Sequence, residues 1–222
     1  MKFILNTLLF VLATHVSAQD HGHMKNKKRP PLEFAFYPGV HIMQVSNLNA
    51  MLKDAGADEV SKFGVNATVS LSYRFGKTLI GISGTPTTSF KDENRFRSSD
   101  LLFHVSTNAI RSGNLIISPQ LGIGYQGTEF TLDKKGAATE FKDYLTVASN
   151  QTRMEHDAAI ADFNITLKKT NTEQSYFMPK FRIGYKTSIS EKAWEIRNAN
   201  VVNAPKDRIG LFYVQLAMGI GW

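Results

Sequence analysis

One histidine and one serine stand at a spacing that could support nucleophilic catalysis. His104 and Ser106 are separated by one residue. Residues two apart on a β-strand share a face, so the imidazole could activate the hydroxyl. However, the apolar residues at the alternate positions would turn this face inward, and the next acidic residue, Glu129, lies beyond a strand's length. Because a two-residue motif is common by chance, the pair remains a weak candidate and we name no catalytic residue.

Metal and cofactor sites are not indicated. The chain has no cysteine, which excludes thiolate metal sites, a disulfide framework and a lipoprotein anchor. His21 would be the third residue of a chain that begins at Gln19, where an amine, two amides and an imidazole can bind Cu(II) or Ni(II). A terminal glutamine tends to cyclise and block that amine. With no phosphate loop, nucleotide fingerprint or His/Glu cluster, we expect no cofactor and no metal.

The elements that must position these residues are β-strands. Large apolar residues alternate with small or polar ones along most of the chain, most clearly over Phe63–Phe75 and in the last twelve residues. This period of two predicts strands. Eight are predicted, at about residues 32–43, 63–75, 78–85, 100–110, 115–125, 156–167, 175–187 and 211–222. A short helix capped by Ser46 or Asn47 is expected within residues 46–62.

The predicted connections alternate between long loops and tight turns. Two-residue or similarly tight turns are expected at Gly76-Lys77 and Arg111–Asn114, and long loops at residues 86–99, 126–155 and 188–208. This alternation is typical of an all-β, eight-stranded antiparallel up-and-down transmembrane β-barrel with long extracellular loops and short periplasmic turns. A soluble lipocalin-like barrel has the same strand number but needs a charged outer face.

Acids, bases and other polar residues fall on the faces opposite the apolar ones. In a narrow barrel these faces would line the lumen, and buried charges demand partners. We therefore predict a lumen charge network of Glu33, His41, Arg74, Asp162, Lys180 and Arg182, with Tyr37, His104, Tyr213 and Gln215 on the same surface. The expected role is a structural plug, and the alternative is a gated proton or small-ion path.

The N-terminal residues differ from the rest of the chain. Residues 1–18 contain Lys2, an apolar stretch and Val16-Ser17-Ala18, which predicts a signal peptide. Residues 19–31 form a basic tail, for which we expect disorder in the periplasm, and residues 32–222 form the barrel. The formal charge of +7 falls to +6 without Lys2. The charges lie in mixed-sign clusters, so no nucleic-acid partner is predicted.

With this strand pattern, the chain resembles the small eight-stranded outer-membrane β-barrels of Gram-negative bacteria. Gln215, Ile220 and Trp222 match the C-terminal signal that such proteins present to the barrel-assembly machinery, with Ala217 at the usual glycine position. The related stretches Pro119–Tyr125 and Pro179–Tyr185 are similar to barrels common in Bacteroidetes. The His-x-Ser spacing is similar to that of lipid A deacylases, which implies His104 as base and Ser106 as nucleophile.

The expected function is that of a non-enzymatic outer-membrane protein with both termini periplasmic. Its loops around residues 47–62 and 127–155 are the expected contact surfaces for a partner protein, surface glycan or host ligand, since recognition usually lies on loops of a rigid scaffold. Lipid or lipopolysaccharide would surround the barrel. The alternatives are a lipid A-modifying hydrolase acting through His104 and Ser106, and a soluble lipocalin-like carrier.

Overall fold

A computed structural model describes residues 32–91, 94–133, 151–169, 177–196 and 203–221, so the predicted signal peptide and basic tail lie outside the described residues. No helix in this part of the chain has the length and apolar character to span a membrane. The described elements are β1 Leu32–Gln44, α1 Ser46–Asp54, β2 Phe63–Phe75, β3 Thr78–Lys91, β4 Asn94–Thr107, β5 Ile110–Ser112, β6 Leu115–Asp133, β7 Gln151–Lys169, β8 Phe177–Ser188, β9 Lys192–Ala193, β10 Glu195–Ile196, β11 Lys206–Asp207 and β12 Gly210–Gly221.

Eight long strands close into an antiparallel barrel. Strands that follow one another along the chain are neighbours, and β12 pairs with β1 to complete the ring. The short β5 continues β4 past a bulge at Asn108-Ala109, because Ser106 pairs with Gln120 whereas Ile110 pairs with Ile117. The predicted eight-stranded up-and-down barrel is confirmed.

The pairings around the ring show how strongly the strands are staggered. One circuit that starts at Phe34 on β1 returns to the same strand at Gln44, ten residues further along. Its intermediate partners are Leu71, Ile82, Phe103, Ile123, Ala161, Thr187 and Gly210. Strands in such a closed, staggered barrel tilt by about 35–45°, and eight strands leave an interior with room only for side chains.

The two ends of the barrel differ in their connections. At the turn end, Gly76-Lys77 and Gly113-Asn114 are two-residue turns. Both glycines have positive φ, 61° and 56°, which a type II′ hairpin requires of its first central residue. At the opposite end, the loop end, residues 45–62 and 189–209 make long connections.

Apolar side chains cover the outside of the barrel. On β4, Phe103 and Val105 are exposed whereas His104 and Ser106 are buried. The same alternation on the other strands forms an apolar belt that includes Phe36, Val40, Ile42, Phe63, Val65, Tyr73, Phe75, Ile82, Leu101, Leu121, Ile123, Tyr125, Phe163, Ile165, Phe181, Ile183, Tyr185, Phe212 and Leu216. A lipocalin-like carrier would need the opposite arrangement, with its apolar face inward.

Several strands continue past the belt where the sequence predicts loops. β3 and β4 run through most of residues 86–99, and β6 and β7 extend to Asp133 and from Gln151. In these extensions the two faces exchange character, so that Arg97 is exposed and Phe96 is buried. Outward charges that alternate with inward aromatic residues resemble a loop in sequence, which explains why these predicted boundaries are wrong.

The strand extensions and the loop-end connections build a small cap over the barrel. The cap comprises residues 45–62, 86–91, 94–99, 127–133, 151–157, 189–196 and 203–209. Within it, β10 pairs with β7, and β11 pairs with β9. Its apolar core consists of Met43, Val45, Leu48, Leu52, Val60, Phe96, Phe130, Met154, Trp194 and Ile209. Full burial of each large side chain contributes about 1.5–3 kcal/mol, so the cap has a hydrophobic core of its own.

Candidate functional site: lumen network and cap

A cluster of buried ions lies near the turn end of the lumen. Glu33 Oε2 accepts a hydrogen bond of 3.0 Å from Arg74 Nη2, and its other oxygen accepts one from Lys180 Nζ. The three side chains are at most 9% exposed. Lys180 reaches Glu33 across β12, so this contact exists only because the ring is closed. A buried carboxylate held between two cations is the arrangement that offsets its desolvation.

Arg182 lies higher in the lumen and has a different environment. Its guanidinium carbon is 3.5 Å from the centre of the Tyr37 ring, a cation–π contact. Its Nε donates to Thr166 Oγ1 at 3.3 Å. Among the described residues, no carboxylate oxygen lies within 4.0 Å of this guanidinium. Its charge therefore lacks a direct ionic partner there.

The candidate pair His104 and Ser106 faces the lumen. The two residues are 2% and 7% exposed. His104 Nε2 lies 3.1 Å from the hydroxyl oxygen of Ser72 on β2, and its Nδ1 has no hydrogen-bond partner among the described residues. The imidazole thus contacts a serine on another strand, and both side chains are shielded from lipid by the barrel wall. This position gives a lipid ester no access to the pair.

A second ionic group lies toward the loop end of the lumen. Asp100 and Lys186 form a buried ion pair. Asp162 accepts hydrogen bonds from Tyr213 Oη at 2.7 Å and from Asn164 Nδ2 at 2.8 Å. Asp100 and Lys186 are absent from the lumen set that the sequence predicts. The alternation of inward and outward residues along a strand could have predicted them. Asp100 lies four residues from His104 and Lys186 lies four residues from Arg182, so each shares the inward face of its strand.

Two further predicted lumen residues also point inward. Gln215 Nε2 donates to Asn66 Oδ1 and Thr68 Oγ1, both at 2.9 Å. His41 is 2% exposed, and its ring fills the space beside Gly64, where an added Cβ would lie 2.5 Å from His41 Cε1. Small inward residues thus make room for the large ones. The side chain of Ile220, and Trp222 altogether, lie outside the described residues.

Two cavities remain within the packed lumen. The lower cavity, near the turn end, has a volume of about 20 Å³, and the upper cavity has about 10 Å³. A cavity needs roughly 10–15 Å³ to hold one water molecule. These spaces therefore suit single waters or ions of similar size, and they are too small for an organic solute.

The cap is fastened by one buried carboxylate. Asp207 accepts hydrogen bonds from the backbone N–H groups of Asn47 and Leu48, both at 2.9 Å, and from Trp194 Nε1 at 2.8 Å. The N-terminal N–H groups of helix α1 are therefore capped by a residue from the distant β8–β12 connection. The predicted cap by Ser46 or Asn47 is wrong: Val45 occupies the N-cap position and no side chain there makes the capping bond. Asp207 satisfies orphan N–H groups and complements the positive end of the helix.

The outer face of the cap carries exposed charges in place of the belt's apolar residues. Arg153 on β7 forms one ion pair with Glu129 on β6 and another with Glu155, two residues along its own strand. Arg95 lies over the exposed Phe90 ring, 5.2 Å from its centre. Such exposed pairs contribute about 0–1 kcal/mol each, so they add little to stability. They form a hydrated polar surface that is available for contacts.

Comparisons with known proteins identify the fold. No protein-family model matches the chain, and no curated protein matches it in sequence. The structure is similar to Neisserial surface protein A (NspA), with a TM-score of 0.52 and 9% identity over 88% of this chain and 100% of that one. Weaker likenesses are to Ail, the attachment invasion locus protein of Yersinia pestis (TM-score 0.45, 8% identity, 87% and 100% covered), and to the outer membrane protein AlkL (0.45, 10%, 92% and 96%).

The fold assignment rests on the likeness to NspA together with the strand topology, because the other two TM-scores fall below 0.5. The chain has the fold of the small outer-membrane β-barrels. At such low identity the likeness concerns fold and not activity. The finer resemblance to barrels of Bacteroidetes stays a prediction.

Proposed function

We propose that this chain is an integral outer-membrane protein that acts as a non-enzymatic surface scaffold. Its cap faces the cell exterior, and both chain termini face the periplasm. The outward apolar run on β7, from Ala159 to Leu167, covers about nine residues, which is the length that a tilted strand needs to cross a bilayer. Beyond Ala159 the outer face becomes charged, at Asp157 and Glu155. That change supports a membrane boundary at this level.

Two further features support insertion. The closed ring leaves no open sheet edge within the belt, and an open edge would cost several kcal/mol for each unpaired backbone group in hydrocarbon. Exposed aromatic residues lie at both edges of the belt, with Tyr73 and Phe75 near the turn end and Phe63 near the loop end, where Phe90 of the cap is also exposed. Such girdles place amphipathic rings at the level of the lipid headgroups.

The observation that carries the scaffold proposal is the filled interior. Buried ion pairs occupy the lumen, its two cavities have room only for single waters or ions of similar size, and the apolar cap core lies over the loop end. Within the described residues, this interior supports neither a solute channel nor a carrier pocket. Because the interior is filled, we propose that the cap, which is the part exposed beyond the belt, makes the functional contacts.

The proposed contact surfaces are residues 47–62, which contain α1, and residues 127–155, of which 134–150 lie outside the described residues. Their proposed ligand is a partner protein, a surface glycan or a host molecule. Outer-membrane lipid or lipopolysaccharide would contact the belt. During insertion, Gln215, Ile220 and Trp222 are the proposed contacts of the barrel-assembly machinery.

Single cysteine variants test the location and orientation, because the natural chain has no cysteine. Thr131→Cys places a thiol on the outer face of the cap, and Lys77→Cys places one in a turn at the other end. In intact cells, a membrane-impermeant maleimide should label only the first variant, and the second should react after the outer membrane is permeabilised. The reverse pattern, or recovery of the protein in the aqueous fraction without detergent, would contradict the proposal.

Two functional measurements test the scaffold role. The protein reconstituted in planar bilayers should show no steady conductance, because the lumen is filled; a steady current would contradict a sealed interior. Binding to arrays of glycans and host proteins should be lost in the variant Lys53→Ala/Glu155→Ala, which changes one residue in each contact surface, and retained in Lys77→Ala, the control at the opposite end. Equal binding by both variants, or no binding by the natural protein, would refute the cap as the contact surface.

A further inference from the structure

The lower cavity has an unusual charge balance. Three buried cationic side chains line it, those of Lys168, Lys180 and Arg182, together with one carboxylate, that of Glu33. Glu33 is already bonded to Lys180 and to Arg74. Arg182 has no carboxylate within 4.0 Å among the described residues. A buried charge without a compensating ionic partner is costly.

We propose that the lower cavity binds a small inorganic anion of halide size as a permanent part of the lumen. The anion supplies the ionic partner that Arg182 lacks. This assignment is independent of what the cap contacts at the cell surface.

The other wall groups suit an anion. Besides the cations, the lining includes the hydroxyls of Ser70, Ser72, Ser106, Ser118 and Thr166 and the amide of Gln120. A hydroxyl can rotate to donate to an anion, and an amide carries two N–H donors. His104 also lines the cavity, and its Nδ1 has no hydrogen-bond partner in the part of the chain that the structure describes. The wall therefore offers several donors and a single carboxylate.

Volume restricts the class of anion. About 20 Å³ holds one occupant close to the size of a water molecule, which admits a monoatomic halide and excludes phosphate or a carboxylic acid. The upper cavity is about half as large, and its lining includes the carboxylate of Asp162 as well as Arg182 and Lys186. Because the carboxylate of Asp162 already supplies negative charge in the upper cavity, we assign the anion to the lower cavity.

Diffraction from crystals of the full-length protein grown in bromide tests the proposal directly. We expect an anomalous bromide peak in the lower cavity beside Arg182, and no such peak in the upper cavity. In the variant Arg182→Gln the lower peak should disappear. A lower cavity that holds only water, or bromide found only on the outer surface, would overturn the proposal.

Thermal unfolding in detergent micelles supplies a second test. Urea is added until the unfolding midpoint falls within the measurable temperature range. At a chloride concentration of about ten times Kd, the unfolding midpoint should exceed that in gluconate of equal ionic strength by about 3–6 °C, because gluconate is too large for the cavity. The difference should vanish in Arg182→Gln. The double variant Asp100→Asn/Lys186→Gln, which changes the other ionic group, should retain it.

A third variant keeps the test valid if Arg182→Gln does not fold. Ser106→Leu fills the lower cavity without changing any charge, so it should abolish both the bromide peak and the preference for chloride. An unchanged chloride preference in Ser106→Leu would refute the site, as would equal midpoints for the natural protein in chloride and gluconate.

Discussion

Asp207 links several separate segments at the loop end of the barrel. Its carboxylate accepts three N–H groups from α1 and Trp194, and its backbone oxygen lies 3.2 Å from His156 Nε2 on β7. Counting the segment of Asp207 itself, four separate parts of the chain therefore meet at one residue that is 2% exposed.

We predict that Asp207→Asn loosens the cap. The amide replaces one acceptor oxygen by a donor, which leaves buried N–H groups unpaired at a cost of about 1–3 kcal/mol. Faster hydrogen exchange of the Asn47 and Leu48 amides and a shift of Trp194 fluorescence would report the change. Asp58→Asn, at an exposed site in the same connection, is the control and should leave both signals unchanged.

The buried pair of Asp100 and Lys186 permits a second test. Lys186→Met leaves Asp100 as an uncompensated charge and should cost about 3–5 kcal/mol of unfolding free energy, whereas Asp100→Leu/Lys186→Met should recover most of that loss. Urea unfolding in micelles measures both, with the exposed Lys192→Met as control. If the double variant were no more stable than the single one, the two charges would not be coupled.

The enclosed position of Ser106 leads to a third prediction. Ser106→Ala should leave the acylation of lipid A unchanged, since the side chain faces the lumen and not the surrounding lipid. Mass spectrometry of lipid A from cells that express each protein is the measurement. A loss of acyl-chain removal in the variant would instead restore the hydrolase hypothesis.

At the scale of the elements, each strand changes its outward chemistry at the belt's edge. On β6 the outward residues Leu121, Ile123 and Tyr125 are apolar, and those beyond them, from Gly127 to Thr131, are small or polar. The backbone pairing with β7 continues unchanged across this boundary. β6 is therefore one continuous strand whose outer face is apolar in the belt and polar in the cap.

A charge placed on either side of that boundary should have different effects. Ile123→Arg puts a cation into the belt and should cost about 2–4 kcal/mol if it lies near the bilayer midplane. Thr131→Arg, on the same strand and face but in the cap, should change stability by less than about 0.5 kcal/mol. Folding yields in lipid vesicles and urea midpoints compare the two. Equal costs would mean that the belt is not surrounded by lipid.

At the scale of the whole molecule, the polar interior of the barrel and the apolar interior of the cap lie one above the other. The barrel encloses hydrogen-bonded ions and hydroxyls, and the cap encloses aliphatic and aromatic side chains. The barrel is supported by the ring of strands and the cap by its apolar core and Asp207. The two parts should consequently lose structure separately.

We predict that Leu48→Ala/Trp194→Ala opens the cap without unfolding the barrel. Large-to-small changes in a packed core cost about 2–5 kcal/mol each, which is enough to expose a small apolar core. Limited proteolysis should then cut within residues 189–209, while the remaining barrel still resists denaturation in cold detergent. The belt variant Phe181→Ala is the control for a lost large side chain. Loss of the whole barrel together with the cap would show that they form a single cooperative unit.

The alternation of residue types was sufficient to predict the strands of the belt, the barrel and the inward direction of most lumen residues. Phe63–Phe75 is predicted with the same bounds as β2, because a period of two is a local property of the chain. Glu33, Arg74, His104 and Asp162 follow from the same parity. Whether a face meets lipid or water cannot be read locally, so the strand extensions into the cap were missed.

Only the tertiary structure decided which of these residues meet. Glu33 and Lys180 are 147 positions apart, and Asp207 and Leu48 are 159 apart. The first contact depends on ring closure and on a stagger that accumulates over every strand, and the second depends on two connections folding over the same end. A sequence pattern records the side of a strand on which each residue lies. The partner that it finds there is set by the register of all eight strands together.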